Sequence, residues 1–231
     1  YKGEDPYLTG SIAVTEIKTI QDAGIIAMAK HFAANEQETN RHNVSQTIDE
    51  QVLHELYLLP FEMAVKEGEV ASLMCSYNDL NGSQACENKT LLTDVLRTQW
   101  GFKGYVQSDF FAVKSTAKSL VAGLDHLMPI PSFWSPERLD KALAKDELTL
   151  KHLDIALGRR YQQMFKLGIF ERPLVQKPLP VEEGGRKARA MGSASAVLLQ
   201  NNQTLPFSNS IKSVALIGKA TQVYAQQAVA G

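Results

Sequence analysis

Asp109 closes the run Gly104-Tyr105-Val106-Gln107-Ser108-Asp109, an apolar, β-type stretch that ends abruptly in a carboxylate followed by Phe110 and Phe111. A carboxylate at the carboxyl end of a buried strand, beside aromatic walls, is placed to act as nucleophile or base in a barrel enzyme. The same position also suits a helix N-cap, because a helical stretch from Val113 to Ala122 follows, and position alone weighs the two readings equally. A second group is Lys30-His31, a cation and an imidazole side by side, which offer several donors to a hydroxyl-rich ligand. Lys30 also fits a solvated flank, or the Schiff-base amine of an aldolase-like barrel, and His31 fits a satisfied core histidine. In Met74-Cys75-Ser76-Tyr77-Asn78, Tyr77 can supply a phenol that tunes a carboxylate and Met74 an apolar wall; simple packing and turn-anchoring roles fit them equally. Arg41 lies among Glu36, Glu38 and Asn40, the ordinary setting of a surface loop, and His42, His54, His126 and His152 have no spacing that suggests a role.

The elements that must position these groups alternate between short apolar runs and helix-period stretches, the pattern of β/α units with parallel strands. Strands are expected over Ile25-Ile26-Ala27-Met28-Ala29, Val70 to Cys75, Tyr105 to Ser108 and Leu124 to Met128, each followed by polar residues where α/β barrels build their sites. Thr47-Ile48-Asp49-Glu50 fits a capping box before a periodic helix that Pro60 must kink or split. Further helices are expected after Asn88 as N-cap up to Gly101, from Pro136 onward, and from about Leu150 to Leu167. Three prolines and Glu182-Glu183-Gly184-Gly185 mark residues 171–185 as a semi-extended linker. Beyond it, Arg186 to Leu199 reads as a helix and Ser213 to Gly218 as a buried strand, with no G-x-G-x-x-G to suggest a dinucleotide site.

With 231 residues, 44% apolar and 21% charged, the chain reads as globular, and a formal net charge of -1 argues against a nucleic-acid binder. No apolar run approaches the roughly 20 residues needed to span a bilayer, and no signal peptide marks the start. An opening residue other than Met reads as a processed or cut chain. Cys75 and Cys86 flank a turn-rich loop and fit either a short disulfide ring in an oxidising compartment or two buried thiols. The first would place the protein outside the cell or in the periplasm, the second in the cytoplasm. No His or Cys cluster has metal-ligand spacing.

Several fixed words in one order resemble glycoside hydrolase family 3, typified by β-glucosidases and β-xylosidases. They are Gly3-Glu4-Asp5-Pro6-Tyr7-Leu8-Thr9-Gly10, Lys30-His31-Phe32 with Asn35, Glu38 and Arg41, Glu55-Leu56-Tyr57-Leu58-Leu59-Pro60-Phe61, Met74-Cys75-Ser76-Tyr77-Asn78, Asn81-Gly82, Trp100-Gly101-Phe102 and Ser108-Asp109-Phe110. Val197-Leu198-Leu199-Gln200-Asn201 and Thr204-Leu205-Pro206 continue the likeness downstream.

The resemblance implies an α/β fold: residues 1–170 as the later part of a (β/α)8 barrel, 171–185 as a linker, and 186–231 as the beginning of an α/β sandwich domain, all within a longer enzyme. It implies a retaining exo-glycosidase acting on terminal β-D-glucosyl residues, with Asp109 as the nucleophile that forms a covalent glycosyl-enzyme. Lys30, His31, Met74, Tyr77 and Phe110 match residues that hold the sugar, and Arg41 is carried over as a structural neighbour. No cofactor or metal is implied. The substrate would be a β-glycoside or oligosaccharide, and the general acid/base, a glutamate of the second domain, would come from elsewhere in the polypeptide. A β-xylosidase or arabinosidase, or a non-catalytic carbohydrate-binding relative, fits the same resemblance. Phe110 stands where the family usually has Trp, keeping an aromatic face but losing the indole donor.

Overall fold

The computed structural model describes residues 2–172, 175, 176, 178–218 and 221, and the chain divides into two compact units, residues 1–173 and 174–231. The first opens with a helix, Pro6–Asp22, that the sequence reading did not anticipate; Asp5 caps it by accepting from the Leu8 N–H at 2.7 Å. Its buried face, Gly10, Val14 and Ile17, packs on the helix Leu59–Lys66. Gly10 allows the close approach, because a Cβ would lie 2.4 Å from Met63 Sδ and force that side chain to shift.

Three parallel strands form the main sheet: β1 (Met28–Phe32), β3 (Ser72–Cys75) and β6 (Tyr105–Ser108), in the order β1-β3-β6. A small second sheet comprises β2 (Ser45–Gln46), β4 (Asp79–Leu80) and β5 (Ser83–Gln84). β4 and β5 form a hairpin whose turn residues Asn81 and Gly82 both have positive φ, 48° and 84°, as a tight hairpin turn demands. The parallel α/β class expected from the sequence is present. No closed barrel is formed among the described residues.

Strand β6 matches its expected bounds, and the other expected strands are shorter or displaced. Ile25 is 60% exposed because its N–H, donated to Ile20 C=O, completes the end of the first helix, so β1 starts at Met28 and takes in Lys30 and His31. Val70 and Ala71 lie outside β3, their N–H groups being taken by Ala64 C=O and Gln21 Oε1. The Leu124–Met128 strand reduces to one bridge, Gln107 with His126, since the Asp125 carboxylate occupies the Val106 N–H that a longer ladder would use.

Helices follow the sequence more closely. Asn88 Oδ1 accepts from the Leu91 N–H at the start of Thr90–Gln99, a π-helix that buries Leu91, Leu92, Val95 and Leu96. Pro136–Ala144 and Leu150–Lys166 lie as expected, and His152, given no role above, completes a capping box with Thr149. Asp49 rather than Thr47 caps the next helical run, which passes through a π segment, Leu53–Leu58, just before Pro60. Proline lacks an N–H and its ring crowds the carbonyl four residues back, so the turn widens there. Around β1 the core is aromatic: Phe32 meets Phe61 edge-on at 5.1 Å and Trp100 at 6.0 Å.

Cys75 and Cys86 form a disulfide, and both residues are fully buried. The bond joins the end of β3 to the turn after β5, enclosing the loop that carries Tyr77. Closing such a ring limits the unfolded chain, so reduction is expected to lower stability by about 2–4 kcal/mol. Urea titrations with and without reductant check this; coincident midpoints would show that the loop's hydrogen bonds suffice alone.

In the second unit, the helix expected over 186–199 spans Val181–Ala194 and so begins within the stretch read as linker. The buried strand expected over 213–218 is not formed among the described residues. Leu216 and Ile217 are 75% and 90% exposed, since an apolar run becomes a strand only where neighbours supply ladder partners and cover. The sandwich is accordingly not seen in the described part of this unit. No helix among the described residues is long and apolar enough to cross a membrane.

Candidate active site

Register brings the chemistry together. Cys75 pairs with Ser108 and Phe32 with Cys75, so the carboxyl ends of β1, β3 and β6 lie side by side. From these ends project His31, Tyr77 and Asp109, three groups from distant parts of the chain. The Asp109 N–H donates to Cys75 C=O at 3.2 Å, fixing the residue against its neighbouring strand.

The Asp109 carboxylate is held at both oxygens. Oδ1 accepts from the Phe110 N–H at 2.7 Å, and Oδ2 lies 3.3 Å from His31 Nε2, the two side chains being 16% and 20% exposed. The helix-cap alternative fails, because the next helix, Ala117–Ala122, starts well beyond reach of Asp109. Burial, then the charge of Lys30, pushes the His31 imidazole below its ordinary value, outweighing the opposing pull of Asp109. The ring is therefore neutral around pH 7 and serves as a hydrogen-bonding group rather than a counter-ion.

Tyr77 is buried, and its phenol is pushed up to about 12, first by burial and then by the nearby Asp109 carboxylate. The phenol therefore keeps its proton around neutral pH, beside the Asp109 carboxylate. Arg41 and His42 cover its ring: the guanidinium carbon lies 4.9 Å and the imidazole centroid 4.2 Å from the ring centre. Arg41 is ion-paired to Glu38, which steadies it there. The sequence reading gave Arg41 only a structural place and His42 none, because nothing in their local spacing shows where this turn lands.

Lys30 and Met74 flank the trio. Lys30 is exposed, unlike the desolvated amine that Schiff-base chemistry requires, and Met74 is half-buried on β3. Phe110 and Phe111 are both exposed, and Phe111 has φ 63°, a backbone region unusual for a bulky residue. A cavity of about 870 Å³ shares His31 with the trio and includes the flanking Lys30, but is otherwise lined by Met28, Glu36, Tyr57, Phe61 and others, so Asp109 is not on its wall. Burial raises the Glu36 carboxyl above the usual range. Among the described residues no three His, Cys, Asp or Glu side chains converge as metal ligands.

Residues 2–162 match the glycosyl hydrolase family 3 N terminal domain. The chain is 41% identical to a β-glucosidase of Rhizobium radiobacter, over 93% of this chain and 27% of the relative. It is 42% identical to β-glucosidase B of Emericella nidulans, over 95% of this chain and 27% of the relative. Among solved structures, β-glucosidase 3B from Thermotoga neapolitana in complex with glucose superposes with a TM-score of 0.84 at 35% identity, covering 90% of this chain and 30% of that one. The chain thus spans about a quarter of the length of the curated relatives it matches.

Proposed function

The chain belongs to glycosyl hydrolase family 3, and from that premise we propose that it carries the nucleophile of a retaining exo-β-glucosidase, with Asp109 in that role. The observation that carries the reading is the convergence of His31, Tyr77 and Asp109 at three adjacent strand ends. The proposed organisation places residues 1–170 in a (β/α)8 barrel, 171–185 in a linker and 186–231 at the start of a second domain. The proton donor to the leaving group is supplied elsewhere in the whole protein.

In the first step an Asp109 oxygen attacks the anomeric carbon while the bond to the leaving-group oxygen breaks and that oxygen takes a proton from the general acid. In the second, water attacks the same carbon, gives its proton to the now deprotonated general acid, and the Asp109 carboxylate leaves. An oxocarbenium-like transition state requires a fixed anion beneath it, and Asp109 is fixed by the Phe110 N–H and by His31, with the protonated Tyr77 phenol beside it. Lys30 is assigned to the sugar's hydroxyls, and Met74 and Phe110 to its apolar face. The names of the relatives support glucose over xylose or arabinose as the preferred sugar. The buried disulfide supports an oxidising compartment, secreted or periplasmic.

The test is to give the whole protein an aryl β-D-glucoside, with the β-D-xyloside in parallel, and follow the released sugar by NMR. The β-anomer is expected first, from the glucoside in preference. Initial release of the α-anomer, or no hydrolysis of either substrate, would overturn the reading.

A further inference from the structure

Gln84, in β5, is buried, and its side-chain nitrogen faces three backbone carbonyls: Ala112 at 2.9 Å, Ser76 at 3.3 Å and Tyr77 at 3.4 Å. Three acceptors admit only the NH2 end of the amide, since a flipped Oε1 would meet lone pairs on every side. One N–H serves Ala112, and the other is shared between the adjacent carbonyls of Ser76 and Tyr77. The Ala112 N–H in turn donates to the Asp109 carbonyl at 3.1 Å. The Gln84 amide therefore ties the backbone of Tyr77 to the turn that begins at Asp109, in addition to the direct bond from the Asp109 N–H to Cys75 C=O.

We propose that Gln84 is a positioning residue for the reaction, setting the separation between the Tyr77 hydroxyl and the Asp109 carboxylate through the two backbones it joins. The inference rests on the glycosidase reading of Asp109. As the glycosyl ester forms, the attacking carboxylate loses its charge, so the phenol must hold it on the line of attack without following it. A small misplacement of the donor costs rate rather than substrate affinity, because the groups it aligns react only when in line.

The test is Gln84→Met in the whole protein, which keeps the side chain's length and removes both donors. With an aryl β-glucoside, kcat is expected to fall roughly tenfold with KM little changed. In a Tyr77→Phe background the same substitution should lower kcat by less than about threefold, while Tm falls equally in both backgrounds. A merely structural Gln84 would lower kcat equally in both. Equal losses, or an unchanged kcat in the Gln84→Met protein, would overturn the proposal. If Gln84→Met does not fold, Gln84→Asn, one methylene shorter, makes the same comparison with the same two outcomes. Failure of the unsubstituted protein to hydrolyse β-glucosides would instead remove the reading of Asp109, so the two failures are distinct.

Discussion

Asp109→Asn is expected to reduce kcat for an aryl β-glucoside by on the order of 10⁴-fold or more, the scale seen when a nucleophile is removed from an otherwise intact site. Asn keeps the shape and one oxygen to accept from the Phe110 N–H, bonded at 2.7 Å in Asp109, so folding and sugar binding should survive. What it lacks is the negative charge and the capacity to form a glycosyl ester. Mass spectrometry of the unsubstituted protein, quenched with a slow 2-deoxy-2-fluoro glucoside, should find the label on the peptide holding Ser108 to Phe111. Activity of the Asn variant within tenfold of the parent, with the label elsewhere, would remove Asp109 from the role.

Asp125→Asn is expected to cost about 3–5 kcal/mol of stability, because it strips one partner from a buried ionic cluster. The Asp125 side chain is 1% exposed and accepts from Arg97 at 2.5 Å, from Arg159 at 3.0 Å and from the Val106 N–H at 2.8 Å. Burial opposes the charge on both partners, raising the Asp125 carboxyl and lowering Arg97 to about 10, so neither ion is tolerable without the other. Arg97 also donates to the Gly104 and Gly123 carbonyls, which tie it to the entry of β6 and to the segment that bridges that strand. An uncompensated guanidinium there would loosen the strand that ends at Asp109. Denaturant titration reads the cost directly. A loss below about 1 kcal/mol would mean that water reaches Arg97 and takes over the bond.

Both predictions turn on interactions that differ in how far the linear chain announces them. The strand ending at Asp109 was legible because its signal is local: consecutive β-type residues stopped by a carboxylate, with Gly104 before and aromatics after. The helix starts at Asn88 and Pro136 were legible for the same reason, since caps and prolines act within one turn. The family resemblance rested on such short words as well. Where local signals compete, tertiary partners decide. Ile25 and Ile26 look like strand, but the helix before them needs an N–H to close its last turn, and β1 begins only once that need is met. Val214, Leu216 and Ile217 look like a buried strand, yet strand formation depends on a neighbouring chain segment rather than on the run itself.

By itself, the sequence determined the parallel α/β pattern, the carboxylate at the end of β6 and the residue types available around it, because periodicity and capping are properties of neighbours along the chain. Tertiary structure alone decided the pairing of His31 and Tyr77 with Asp109, the seat of Arg41 and His42 on the Tyr77 ring, the disulfide over two free thiols, and the burial of Asp125 between two arginines. Those contacts join residues whose separation along the backbone carries no period. Only strand register and the packing of helices on the sheet bring them together.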